Sequence, residues 1–194
     1  MMNVVLYEPE IPANTGNIGR TCVVTGSVLH LVGPLGFALD DHMLHRAGLG
    51  YWRSLDVRVY DRWQEFLQVN GLTVDDVRIH YLTKKARRTY AETAYDDGDY
   101  LVFGKESSGI PEEVLASAPE RCERIPMLPD AVTIKDADTW AEPAGKPSAH
   151  PILRQDICGN FIDPDDYRIS ALNLSNAAAV VLYEALRQTG FSGM

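Results

Sequence analysis

Cysteine is scarce in this chain: Cys22, Cys122 and Cys158 make an odd total, with no C-x-x-C pair among the 194 residues. That argues against a disulfide framework or a thiolate zinc site and suits a reducing compartment. The three thiols are expected to be inert apolar filling. Long apolar runs are missing as well, and none approaches the roughly 20 residues of a membrane span. The most apolar late stretch, Ala177 to Leu182, runs directly into Tyr183-Glu184. The first residues, Met1-Met2-Asn3-Val4-Val5-Leu6-Tyr7 before Glu8, lack the basic start and long apolar core of a secretory leader. A cytoplasmic location is the expectation.

Positive charge is also in short supply, with 18 Lys and Arg against 27 Asp and Glu, a net charge of −9. This balance argues against a protein that coats nucleic acid without selection. It leaves room for a local grip at Lys84-Lys85-Ala86-Arg87-Arg88, a run that by itself fits a solvated loop equally well. The histidines (His30, His42, His45, His80 and His150) have no metal-ligand spacing, and no metal is expected. The phosphate-binding fingerprints are absent too. Asp99 stands where the first glycine of G-x-x-x-x-G-K would be, and no G-x-G-x-x-G occurs. A dinucleotide-dependent oxidoreductase is thereby a distant reading.

What is present is an ordinary globular composition, 45% apolar and 23% charged. The length favours one domain over residues 1–194. Strand-like runs cover Asn3–Tyr7, Val28–Val32, Leu55–Tyr60, Arg78–Thr83, Tyr100–Phe103 and Glu123–Ile125. Helical patterns cover Asn14–Thr25, Asp41–Ala47, Arg62–Val69, Pro111–Ser117 and Asn176–Gln188. Trp63, Phe66 and Leu67 share one face of their helix; Val181, Leu182, Ala185 and Leu186 form a stripe on the last. The alternation predicts an α/β fold with a mainly parallel sheet. Residues 131–169 break the rhythm. They hold Pro143, Pro147, Pro151 and Pro164 and carry four basic against seven acidic residues, a net −3. This reads as an insertion, with a small hairpin expected between Cys158–Ile162 and Tyr167–Ile169.

Three segments at strand ends carry the chemistry, because ligands of open α/β sheets bind outside the carboxyl ends of the strands. The first runs from Glu8 to Arg20 and enters a helix, with Arg20 about one turn in, an anion-handling arrangement. The second is Phe103-Gly104-Lys105-Glu106-Ser107-Ser108-Gly109-Ile110-Pro111, a tight loop bracketed by Gly104 and Gly109. The third is Ser170-Ala171-Leu172-Asn173-Leu174-Ser175-Asn176, whose Asn and Ser residues suit helix caps. Taken singly, each also fits an ordinary capped helix or glycine turn.

Together they resemble the three signature motifs of the SPOUT superfamily, in its SpoU/TrmH class of RNA 2′-O-ribose methyltransferases. The first matches N-x-G-N-x-x-R at Asn14, Gly16, Asn17 and Arg20. The second matches F-G-x-E-x-x-G-[IL]-P at Phe103 through Pro111, and the third L-N-L-S-N-A at Leu172 through Ala177. Glu8-Pro9-Glu10-Ile11-Pro12, Arg46-Ala47-Gly48-Leu49-Gly50-Tyr51-Trp52 and Leu182 to Gln188 resemble the small members that methylate the wobble nucleotide of tRNA. The resemblance spans about residues 1–130 and 170–192.

It implies a C-terminal deep trefoil knot, a homodimer, and S-adenosylmethionine as methyl donor. Arg20 is then the catalytic residue, with Asn14, Glu106, Ser175 and Asn176 ordering the site. Leu82, Thr83, Gly104, Gly109, Ile125, Met127, Ala171, Leu172 and Asn173 are expected to hold the donor. Arg46, Lys84, Lys85, Arg87 and Arg88 are expected to hold tRNA phosphates. A guanidinium is always protonated, so Arg20 is expected to orient and stabilise a developing alkoxide rather than to act as base. The chain departs from the pattern in the insertion, in Gly50 where an acidic residue is usual, and in lacking an Arg immediately before Leu172. Methylation of ribosomal RNA and a noncatalytic S-adenosylmethionine- or RNA-binding module are the alternative readings.

Overall fold

The computed structural model describes residues 1–38, 50–127, 154–155, 161–162, 171–192 and 194. The helix expected over Asp41–Ala47, Arg46, Cys158 and the insert's remaining residues lie outside them.

Six strands form one parallel sheet: β1 (Asn3–Tyr7), β2 (Val28–Val32), β3 (Val57–Tyr60), β4 (Ile79–Leu82), β5 (Tyr100–Phe103) and β6 (Cys122–Glu123). Their order is β3-β2-β1-β5-β4-β6. A strand covered on both faces must be apolar throughout, and β2 (VLHLV) is buried at every residue. β1 sits between β2 and β5, with Asn3 level with both Val28 and Tyr100. The chain winds outward from β1 to β3, then crosses to the other half of the sheet. The switch point therefore lies between β1 and β5, where the loops after them diverge and leave a crevice.

Helices α1 (Pro12–Thr25), α2 (Trp63–Val69), α3 (Glu112–Ser117) and α4 (Leu174–Gln188) cover the sheet. On one face, α2 and α3 close over Tyr7, Tyr60, Trp63, Phe66 and Tyr81. On the other, α1 and α4 pack over Leu6, Leu29, Leu31, Leu101 and Phe103, with Val181, Leu182, Ala185 and Leu186 facing inward. α1 starts two residues earlier than its polar Asn14-Thr15 pair suggests. Pro12 occupies a first-turn position, where its missing N–H costs nothing. Gly26 ends the helix in the left-handed conformation, φ 64°.

The small antiparallel pair in the insert is β7 (Arg154–Gln155) with β8 (Phe161–Ile162). Phe161–Ile162 thus pairs with a strand earlier in the sequence; Tyr167–Ile169, its expected partner, lies outside the described residues. Nearly all of residues 128–170, which join β6 to α4, lie outside the described ones, and with them the path that the expected C-terminal knot depends on.

Candidate active site at the switch point

The loops after β1 and β5 meet where the topology leaves its crevice, and hydrogen bonds lock them together. The Glu106 carboxylate accepts from the Glu10 N–H at 2.9 Å and from the Asn14 side-chain amide at 2.8 Å. The Asn14 carbonyl oxygen accepts from the Asn173 amide at 2.9 Å. The Asn173 oxygen in turn accepts from the Ser175 N–H at 3.0 Å and the Ser175 hydroxyl at 2.6 Å, capping α4. One relay, Glu106–Asn14–Asn173–Ser175, thus joins all three segments singled out in the sequence. Its polarity is set at both ends, because an ionised carboxylate only accepts and a backbone N–H only donates. Starting α1 at Pro12 puts Asn14 in the first turn, 5% exposed, where its side chain reaches the neighbouring loops instead of capping its own helix.

A second set of bonds clamps the β5 loop to the β1 loop. Glu10 accepts from the Ser107 N–H at 2.9 Å and the Ser107 hydroxyl at 2.8 Å, and these bonds hold its carboxyl below its ordinary pKa. Lys105 donates to Glu8 at 2.8 Å, and its ammonium pKa is raised by that bond. Glu8 itself adopts φ 48°, a left-handed conformation that costs a non-glycine residue energy. Gly104 is obligatory: a Cβ there would stand 2.1 Å from the Gly109 carbonyl carbon. Gly109 takes φ 73° and donates to the Lys105 carbonyl at 2.8 Å, closing the loop.

Arg20 projects from α1 and is exposed. Its guanidinium carbon lies 5.0 Å from the centroid of the Tyr51 ring. The Tyr51 hydroxyl donates to the Gly16 carbonyl at 2.5 Å. Burial raises the Tyr51 pKa, with the Arg20 charge pulling the other way. Trp52 packs where a Gly19 side chain would be, 3.0 Å from a Cβ built there.

The expected donor-binding residues lie along the carboxyl ends of β4, β5 and β6 and just before α4. Leu82, Thr83, Gly104, Gly109, Ile125 and Met127 are half-buried, whereas Ala171, Leu172 and Asn173 are exposed. The Thr83 N–H donates to the Glu123 carbonyl at 2.9 Å, tying the ends of β4 and β6. Asn176 is exposed on the first turn of α4, one residue beyond the relay. Of the basic run, Lys84 and Arg87 are exposed and Lys85 is half-buried. Arg88 donates to the Glu120 carbonyl at 2.8 Å.

Behind this rim lies a buried polar cluster that the sequence did not suggest. His80 pairs with Asp99 at 3.0 Å and faces Glu123 at 3.8 Å; Tyr95 donates to Glu123 at 2.6 Å. Burial works to lower the His80 pKa, but the two carboxylates outweigh it and the net displacement is upward. The same burial, reinforced by Glu123, pushes the Tyr95 phenol up. Alternation along β4 puts His80 on the same face as Leu82, and nothing in its sequence neighbourhood marks these partners. The two described thiols are buried, as apolar filling would be: burial pushes Cys22 up to about 12, and Cys122 lies 3.5 Å from the Ala118 carbonyl. Among the described residues, no three His, Cys, Asp or Glu side chains form a group that could hold a metal ion.

The chain has extensive relatives. A model of the SpoU rRNA Methylase family matches residues 1–133. The tRNA (cytidine(34)-2'-O)-methyltransferase of Escherichia coli (strain K12) is 38% identical over 194 residues, covering 100% of this chain and 97% of that protein. A solved structure from Bacillus anthracis has 38% identity and a TM-score of 0.74, covering 100% of this chain and 98% of that one. Another, from work on the 2-OH methylation of C/U34 on tRNA, has 35% identity and a TM-score of 0.69, covering 97% of this chain and 95% of that one.

Proposed function

Since this chain belongs to the SpoU rRNA methylase family, we infer that it is an enzyme moving a methyl group from S-adenosylmethionine to a ribose 2′-hydroxyl of tRNA, at the wobble nucleotide. The relay from Glu106 through Asn14 to Asn173 carries the reading, because it gathers all three signature segments at the switch point. The relatives named for cytidine 34 support the choice of tRNA over ribosomal RNA. The same full-length kinship favours an enzyme over a noncatalytic binding module.

The residues at the rim fit the donor. Leu82, Ile125 and Met127 are only half-buried, and Leu172 is 43% exposed, so apolar surface stands open beside Gly104 to receive a purine. Thr83, Gly109, Ala171 and Asn173 border it with backbone polar groups. When bound, the donor supplies a methyl group already activated on a sulfonium. The chain is left with alignment and with charge developing on the attacking oxygen. Arg20 stabilises that charge; a guanidinium is too basic to take the proton itself, so the hydroxyl proton passes to a substrate phosphate as the methyl leaves the sulfonium and S-adenosylhomocysteine departs. Asn14, Glu106 and Ser175 hold the loops in register, and Asn176 faces solvent beside them. Lys84, Lys85 and Arg87, with Arg46 and the remaining donors of Arg88, engage phosphates.

The functional unit in this reading is a homodimer of single-domain chains in the cytoplasm, each with a C-terminal knot and the 131–169 insert. Apolar Val24 on α1 and Val180 and Tyr183 on α4 are 61%, 39% and 44% exposed, surface suited to a second subunit. Among the described residues no helix is long and apolar enough to cross a membrane.

The test is methyl transfer from labelled donor to unmodified tRNA, with the product nucleoside located by digestion and mass spectrometry. A 2′-O-methyl group at the wobble nucleotide that disappears in Arg20→Ala is the expected result. Donor binding without transfer, or transfer to ribosomal RNA alone, would overturn it.

A further inference from the structure

We propose that Tyr51 is a positioning residue for Arg20, fixing the plane of its guanidinium for the attacking oxygen. The proposal rests on the role assigned to Arg20 above. An exposed arginine side chain samples many rotamers, and ordering it costs conformational entropy. Along the exposed side of α1 the helix itself offers nothing to select one. The turn over Gly50–Ser54 supplies that selection from outside.

Three contacts within one helical turn make the arrangement specific. The Tyr51 hydroxyl is bonded to the Gly16 carbonyl at 2.5 Å, fixing one end of the ring on α1. The ring face then lies 5.0 Å from the Arg20 guanidinium carbon, within cation–π range. Trp52 seats on the helix at Gly19, 3.0 Å from where a Cβ would be, with Leu55 beside it at 3.1 Å, so the turn lies close against α1 and shifting it loses that contact. With one face covered by the ring, the guanidinium presents its other face and its N–H edge to an anionic oxygen. A planar fork used in this way is pre-organised, so less freedom is lost when it meets the developing charge.

The contact also explains why glycine stands at position 19. A Cβ there would meet the Trp52 ring at 3.0 Å and the Leu55 side chain at 3.1 Å, so the side chains of the turn that carries Tyr51 would have to give by a few tenths of an ångström. Gly19 and Tyr51 are thus two parts of one device whose output is the orientation of Arg20.

The experiment compares Tyr51→Leu and Tyr51→Phe with the wild type. Tyr51→Leu removes the ring and is expected to lower kcat for tRNA methylation about 3- to 30-fold, the range of a cation–π contact, with donor Kd unchanged. Tyr51→Phe keeps the ring and loses the hydroxyl's contacts with Gly16 and Arg20, so it should retain more of kcat than Tyr51→Leu. The second readout needs no substrate. The Arg20 Nε–H resonance should be displaced upfield by the ring in the wild type and in Tyr51→Phe, and return toward the free-arginine position in Tyr51→Leu. Unchanged kcat in Tyr51→Leu, or equal losses in the two variants, would overturn the proposal. An Arg20 resonance that Tyr51→Leu leaves in place would overturn it too, whatever the activity. Absence of methyl transfer by the wild type with the ring shift present counts against the tRNA reading and leaves the stacked placement standing.

Discussion

On one face of the sheet, α2 and α3 press Tyr60, Trp63, Phe66 and Tyr81 into a dry aromatic core; on the other, α1 and α4 share their space between aliphatic side chains and buried polar groups. Each face holds one buried histidine from a strand interior, and the two answer burial differently. His30 stacks on Tyr60 at 5.8 Å and meets the edge of Phe66 at 5.5 Å. Burial, with Arg58 nearby, drives its pKa down to about 4. His80 lies against two carboxylates and is pushed up. The aromatic face is made for packing and excludes charge. The face under α1 and α4 tolerates charge because opposite charges meet there, His80 against Asp99 and Glu123, and every element of the proposed site stands on or beside it.

The sharpest way to break this division is a crossed pair of substitutions. Phe66 is fully buried, and Phe66→Ala should cost about 3–5 kcal/mol of stability while the folded fraction keeps its kcat. Arg20→Ala should leave the urea midpoint in place and lower kcat about 100- to 1,000-fold, the cost of a lost oxyanion donor. Urea unfolding and methyl transfer on the same preparations check both. A large activity loss in folded Phe66→Ala would erase the distinction between the faces.

A smaller effect is expected at the relay. Asn14→Leu takes one hydrogen-bond partner from the Glu106 carboxylate and one from the Asn173 amide, a loss of about 1–3 kcal/mol in stability. Turnover should fall even where the variant is fully folded. Asn14→Asp sharpens the point. Two carboxylates within hydrogen-bond distance share a proton, which raises one pKa. As pH falls the shared proton restores a donor to Glu106, so this variant should be more active near pH 5.5 than near pH 8. Asn14→Leu should show no such recovery.

The smallest effect is the pH dependence of stability. A depressed His30 means that the unfolded chain takes up a proton first, so stability is full above about 6.5 and declines as pH falls toward about 4. Between pH 7 and 6 the loss should stay under about 1 kcal/mol, and His30→Gln should abolish it. His80 carries the opposite sign: its contribution is full below its unfolded value and is lost as pH rises through the raised folded one. Imidazole resonances followed against pH should show His30 neutral and His80 charged between about 4 and 6.5.

Much of the scaffold was legible because parallel strands are short, apolar and closed by turn residues. Asn3–Tyr7, Val28–Val32 and Tyr100–Phe103 have the bounds their composition suggests. The apolar stripe of α4 was equally plain from its 3.6-residue period. The start of α1 was not, since Asn14 has the chemistry of a cap and spends it on another loop. Motif spacing brought Asn14, Glu106 and Asn173 to notice; their pairing is invisible in one dimension, because bonds across 92 and 159 positions leave no periodic trace. Tyr51 was legible as part of a familiar segment, and its contact with Arg20 emerges only once the turn folds onto α1. The His80 cluster had no signal at all: its members are scattered over two strands and the loop before β5, each reading alone as an ordinary polar residue.

The span of the relay also sets a clock. Asn173 is synthesised 159 residues after the Asn14 it must bond, and the sheet's central strands emerge well before it. A chain growing on the ribosome can therefore collapse around β1, β2 and β5 while its methylation site still lacks one of its walls. Competence arrives with the docking of α4, late in synthesis. An interrupted chain would own most of the scaffold and none of the assembled chemistry, so incomplete copies would be silent rather than indiscriminate toward RNA.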